Sequence, residues 1–137
     1  MTAIPVSDIT IYADGACSGN PGPAGIGVVL ISGQHRKEIS RPIGQGTNNI
    51  AELSAAIEGL TALKDRGKCE VTLYTDSQLV VGMLNGWKAR KNLELVFELR
   101  RLASECASFK AVHIRGHNGD PLNERCDELA KEAVRVA

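Results

Sequence analysis

The period of the apolar positions changes partway along the chain, and with it the kind of element the sequence specifies. Residues 8–13 alternate and are rich in β-branched side chains, 26–31 and 36–43 are further short strand candidates, and the stretch 15–25 is dense in glycine and proline. Short strand-like runs separated by turn formers predict an antiparallel meander. Beyond it, Ile50, Leu53, Ile57, Leu60 and Leu63 recur at three- and four-residue spacing, which predicts an amphipathic helix that Gly67 helps to end. Residues 69–75 return to strand character, 77–84 read as a short helix, and 93–106 form a second amphipathic helix through Leu95, Val96, Leu99, Leu102 and Cys106. A last strand at 109–114 precedes a closing helix at 122–136, with Leu122, Cys126, Leu129, Ala130 and Ala133 on one face. Three strands followed by alternating helix and strand imply an α/β fold, a five-stranded mixed β-sheet flanked by α-helices.

Composition narrows this picture without redirecting it. A chain of 137 residues matches one domain spanning 1–137, because domains most often run to about 100–150 residues. Sixteen Lys plus Arg balance sixteen Asp plus Glu, so an anionic partner has to be held by local features and not by bulk charge. The apolar stretch at 26–31 is too short to span a bilayer, and 1–7 lacks the basic start and apolar run of a signal peptide. A soluble cytoplasmic protein with no membrane partner is expected. Cys17, Cys69, Cys106 and Cys126 are widely spaced with no C-x-x-C pair, which argues against a zinc site and a disulfide framework. Cys106 and Cys126 read as small core residues.

The candidate chemistry lies in four carboxylates, each with an ordinary explanation. Asp14 precedes Gly15 at the expected end of the first strand, where an Asp-Gly turn is common. Glu52 follows Asn49 by three residues at a helix start, close to a capping box. Asp76 stands between a strand and a helix, the usual place of an N-cap, and Asp127 lies beside the apolar stripe of the last helix. Taken singly, each ordinary reading is the stronger one. Adjacent parallel first and fourth strands would carry Asp14 and Asp76 at corresponding ends, with Glu52 above the same edge. Like charges that close raise one another's pKa values unless divalent cations neutralise them, and a hard cation such as Mg²⁺ takes oxygen ligands of this kind.

Five segments then stand in order: Tyr12-Ala13-Asp14-Gly15-Ala16, Gly19-Asn20-Pro21-Gly22, Thr47-Asn48-Asn49-Ile50-Ala51-Glu52, Tyr74-Thr75-Asp76-Ser77-Gln78, and Gly116-His117-Asn118 followed by Asn123-Glu124-Arg125-Cys126-Asp127. In order and spacing, over residues 9–133, the chain closely resembles type 1 ribonuclease H, the enzyme that cuts RNA in RNA–DNA hybrids. The resemblance implies that Asp14, Glu52, Asp76 and Asp127 are metal-binding and catalytic. Two Mg²⁺ ions, or Mn²⁺, about 3.5–4 Å apart would flank the scissile phosphate and leave 5′-phosphate and 3′-hydroxyl ends. His117 matches the family's loop histidine, which assists proton transfer or product release.

The resemblance also implies a substrate surface and a monomeric enzyme. Asn20, Asn48, Asn49 and Gln78 would contact the RNA strand, whose 2′-hydroxyl distinguishes it from DNA. Thr47 would sit in a phosphate pocket for the DNA strand. Turn and cap duties explain Asn20, Asn48 and Asn49 equally well. Many family members insert a helix and a basic, tryptophan-rich protrusion where this chain has only residues 85–92. Trp87, with Lys88, Arg90 and Lys91 near phosphates, is the remaining candidate there for the DNA strand, against the plainer reading of a solvated loop around a core tryptophan.

Overall fold

A computed structural model describes residues 7–116 and 119–136. Its elements run β1 (Ser7–Cys17), β2 (Gly22–Ser32), β3 (His35–Gly46), α1 (Asn48–Thr61), β4 (Cys69–Thr75), α2 (Gln78–Leu84), α3 (Leu93–Ser104), β5 (Ser108–His113) and α4 (Pro121–Arg135). The sheet order is β3-β2-β1-β4-β5, with β1, β2 and β3 antiparallel and β1, β4 and β5 parallel. This is the five-stranded mixed sheet that the periodicity implies.

Alternation sorts the sheet's two faces. Ile9, Ile11, Ala13, Val71 and Leu73 are buried in one core with Leu53, Leu60, Val96 and Leu99 of α1 and α3. Val29 packs on the other face against Cys126 and Leu129 of α4, with Tyr12 and Leu122 alongside. Burying such side chains contributes about 1.5–3 kcal/mol each, so the two layers hold the sheet between them. All four cysteines are free. Cys126 is a core residue as expected, Cys106 is half-buried and packs against the core, and Cys69 is buried as well.

The course of the chain departs from the sequence reading at two places, and the first concerns a candidate carboxylate. The glycine- and proline-rich stretch is mostly strand: β1 continues past Asp14 to Cys17, pairing Asp14 with Gly27 and Cys17 with Ala24. Asp14 is therefore an in-strand residue and not the residue that ends the strand, because glycine and alanine keep extended pairing where a tight turn was expected. Helix α1 also stops at Thr61, ahead of the expected Leu63, and Asp65 turns the chain in a left-handed conformation (φ 50°) before β4.

Helix α4 lies unusually close to β2. A methyl group at Gly27 would overlap the Cys126 carbonyl and lie 2.7 Å from the Ala130 nitrogen, and one at Gly25 would lie 2.7 Å from the Ala133 methyl. The Ser40 hydroxyl donates to the Leu129 carbonyl at 2.7 Å, and Arg125 pairs with Glu38 at 2.9 Å, tying the helix to β3. Gly27→Ala should therefore lift α4 and cost about 1–3 kcal/mol, the usual range for overpacking. Urea unfolding checks this, and a midpoint equal to the wild type's would show that the close approach bears no strain.

Candidate active site

Each of the ordinary explanations for three of the four carboxylates is removed by a neighbour. Thr47 caps α1, accepting a bond from the Ile50 amide at 3.2 Å, so the capping box expected from Asn49 and Glu52 does not form. Ser77 caps α2 in the same way, accepting from the Val80 amide at 3.2 Å, so Asp76 is not the cap. Asp14 is paired inside a strand. All three carboxylates are thereby free of local backbone duty, except at one shared point.

That point is the amide of Gly15, which donates to Asp14 Oδ1 at 2.9 Å and to Glu52 Oε1 at 2.5 Å. It can do so because Gly15 has no side chain: a methyl group there would overlap the Ala51 backbone and lie 2.6 Å from the Glu52 nitrogen. Helix α1 thus rests directly on β1, and its first turns carry Glu52 to Asp14. The parallel β1–β4 register ends at Tyr12 opposite Tyr74, two residues before Asp14 and Asp76. Asp14, still paired to β2, and Asp76, just past the end of β4, therefore stand side by side where the parallel pairing stops. Asp14, Glu52 and Asp76 each offer an oxygen within 4.8 Å of the others, a donor set of hard oxygens suited to a divalent cation.

Asp127 is not in that group of three. Its Oδ2 pairs instead with the Lys131 ammonium one turn along α4, at 2.9 Å. It remains near enough for its charge to help raise the Asp14 carboxyl. Burial raises Asp14 most, to about 6, with Asp76 and Asp127 adding to it. Burial again, then the Asp14 charge, raises Glu52 to about 10. The pair therefore holds a proton far above the ordinary carboxylate range, which is how such a cluster behaves when no cation neutralises it.

Around the cluster stand further residues, of which His113 and Asp120 carry no signal of this position in the sequence. Gly116 lies against Asp76, since a methyl there would be 2.8 Å from Asp76 Oδ2, and the His113 ring meets the Asp76 carbonyl at 3.2 Å. The Tyr12 hydroxyl donates to Asp120, the cap of α4, at 3.5 Å, while its ring stacks on Tyr74 with centroids 4.7 Å apart. None of these contacts has a local sequence signal; each joins residues distant in the chain. His117 and Asn118 lie outside the described residues.

The asparagines do converge. Asn20, Thr47, Asn48 and Asn49 line one cleft of about 370 Å³ together with Lys91 and Asn92. The Asn20 carboxamide oxygen accepts from the Asn48 amide at 3.0 Å, fixing the loop before β2 against the start of α1. Asn92 holds a left-handed backbone (φ 54°), a conformation in which Asn is enriched among non-glycine residues. Gln78 is exposed at the start of α2 and does not line this cleft, and neither does Trp87.

A protein built as a mixed sheet with carboxylates clustered where the parallel β1–β4 pairing ends is a candidate metal-dependent hydrolase. The ribonuclease H family model matches residues 6–135. A ribonuclease H of Desulforamulus reducens is 46% identical over 145 aligned residues, covering 95% of this chain and 89% of that protein. The crystal structure of RNase H1 from the halophilic archaeon Halobacterium salinarum superposes with a TM-score of 0.79 at 36% identity, covering 95% of this chain and 99% of that one. LC11-RNase H1 in complex with an RNA/DNA hybrid superposes at 0.76 with 34% identity, covering 93% and 97%. The chain belongs to the ribonuclease H family and is a nuclease. Among the described residues no helix is long and apolar enough to cross a membrane.

The raised carboxyls set a pH dependence whose sign is fixed. A group whose folded pKa exceeds its unfolded value stabilises the fold below the unfolded value and loses that contribution as pH rises through the folded one. Without divalent cations, stability relative to Glu52→Gln should fall as pH rises from about 4.5 towards 10. Thermal melts of the two proteins across that range in chelator check it, and parallel curves would contradict the burial argument.

Proposed function

We propose that the chain hydrolyses the RNA strand of RNA–DNA hybrids, leaving 5′-phosphate and 3′-hydroxyl ends, with 1–137 acting as one catalytic domain in a cytoplasmic monomer. The observation that carries the reading is the meeting of Asp14, Glu52 and Asp76 within 4.8 Å at a place where neighbours perform the capping they would otherwise do. These three, with Asp127, would hold two Mg²⁺ or Mn²⁺ ions. Bound there, the cations supply positive charge that acidifies water and offsets charge gathering on the leaving oxygen. The Gly15 amide fixes the directions of the Asp14 and Glu52 oxygens, and a cation held by them would replace the proton the pair otherwise carries.

Substrate selection is assigned to the asparagine cleft. Asn20, Asn48 and Asn49 offer short polar groups to a minor groove, where a 2′-hydroxyl both donates and accepts. Thr47, Lys91 and Asn92 give the same cleft a cation and polar donors for a phosphate of the DNA strand. Gln78 and Trp87 lie outside it; Gln78 would meet the RNA strand further along, and Trp87 the side of the DNA strand. His117 is proposed to aid proton transfer or product release from its loop. The hybrid bound to LC11-RNase H1 supports the substrate class.

Labelled RNA–DNA hybrid, double-stranded RNA and double-stranded DNA, each with Mg²⁺ and with chelator, test the reading. Cleavage of RNA only in the hybrid and only with metal is expected. Asp14→Asn and Asp76→Asn should each lower turnover by at least about 100-fold, as loss of a group stabilising charge in a transition state does, while melting as folded proteins. Activity within a few-fold of wild type in either variant would return that carboxylate to a structural role.

Lys131 sharpens the assignment of Asp127. A cation held by Asp127 would compete with the ammonium that now pairs with its Oδ2. Exposed pairs of this kind are worth about 0.2–1 kcal/mol, so Lys131→Met should bind its weaker Mg²⁺ about two- to fivefold more tightly by calorimetry and leave the tighter ion unchanged. Equal affinities would mean that Asp127 takes no part in holding metal.

A further inference from the structure

The described residues include four exposed large hydrophobic side chains, and three of them, Trp87, Leu93 and Phe97, line one cleft of about 640 Å³. Their exposure is 54%, 58% and 70%. A cluster of this kind on an otherwise polar surface marks a place of contact. The platform is held in place and not a fraying loop. Trp87 lies over Gly82, where a methyl group would overlap the indole, and its amide donates to the Gly82 carbonyl at 2.9 Å. Arg100 donates to the Met83 carbonyl at 2.7 Å and to the Trp87 carbonyl, closing the loop onto α3.

The cleft's position and charge say what it meets. Lys88 lines it and also lines a second cleft with Asn49, Arg90, Lys91 and Asn92, and Lys91 and Asn92 in turn line the asparagine cleft. One track therefore runs from the asparagines, past three cations, to Phe97, with Glu94 the acidic residue in its far part. Cations that follow a backbone, with aromatic faces beside them, suit a single strand, whose unpaired bases expose π-faces that a duplex keeps stacked inside.

We propose that this face binds unpaired DNA that continues from the DNA strand of the hybrid, so that the enzyme favours hybrids bordered by single-stranded DNA. The proposal rests on the hybrid-cleaving function above and extends its substrate beyond the paired region. Bases stacked on Trp87 and Phe97 would lower KM without touching the chemical step.

Steady-state cleavage of a blunt hybrid and of the same hybrid carrying a short DNA extension at either end tests it. Wild type should show a KM about fivefold lower or better for an extended hybrid, the low end of what one stacked base contributes. Phe97→Ser with Leu93→Ser should raise that KM to the blunt value, with kcat and the blunt-hybrid KM unchanged. Phe97→Trp should keep the preference. Both replaced side chains are exposed, and thermal melts of the variants verify folding. Equal KM for blunt and extended hybrids in wild type, or an equal loss on both in the double variant, would overturn the proposal. A dimer in wild type that Phe97→Ser dissolves would overturn it too, by assigning the face to a second copy. Failure of wild type to cut any hybrid would instead remove the underlying function.

Discussion

The backbone-to-backbone approach of helix α1 to strand β1 at Gly15 is the constraint on which the site depends. With any side chain at Gly15 the helix would have to move away, since the added carbon would lie 2.6 Å from the Glu52 nitrogen. The same missing side chain lets one amide bond both carboxylates. An amide shared between two acids helps orient them but cannot cancel their repulsion, and burial adds to the penalty of charging them. The fold thus brings together groups that would be more stable apart. Strain of this sort persists where the surrounding structure over-determines it, here through the cores packed on each face of the sheet.

A protonated, crowded carboxylate pair is a site prepared for a cation. Losing a proton and gaining a divalent ion are one exchange, which couples metal affinity to pH and to the packing that raised the carboxyls. The nearby surface follows the same economy with neutral groups. Asn20, Asn48 and Asn49 give the cleft neutral polar groups, and Lys91 gives it a positive charge. In a chain with sixteen basic and sixteen acidic residues, the proposed contact with a polyanion rests on this local arrangement and not on overall charge.

The elements were legible because their causes are local. Alternation in β1 and β4, the three- and four-residue spacing in α1 and α3, and the apolar stripe of α4 are written in adjacent residues. The candidate carboxylates were legible only as a set, through motif order, since every one had a better local explanation. What the sequence obscured was which neighbour would take the cap: Thr47 and Ser77 do, and their doing so releases Glu52 and Asp76. Asp14 was misplaced at a strand end because Asp-Gly favours turns, whereas pairing with β2 holds it extended. The Lys131 pair with Asp127 follows from i,i+4 spacing on α4, whereas the Tyr12 bond to Asp120 and the entry of Asn92 into the asparagine cleft depend on tertiary approach that no spacing encodes.

The central claim is that the Asp14–Glu52 pair holds a proton which a divalent cation replaces. Carbon-detected NMR titration of the Asp and Glu carboxyl groups, with and without Mg²⁺, measures it directly. In chelator, one carboxyl of the pair should titrate well above the usual carboxylate range, and saturating Mg²⁺ should bring it back to or below that range. Ordinary titration of both groups in chelator, unchanged by Mg²⁺, would contradict the account.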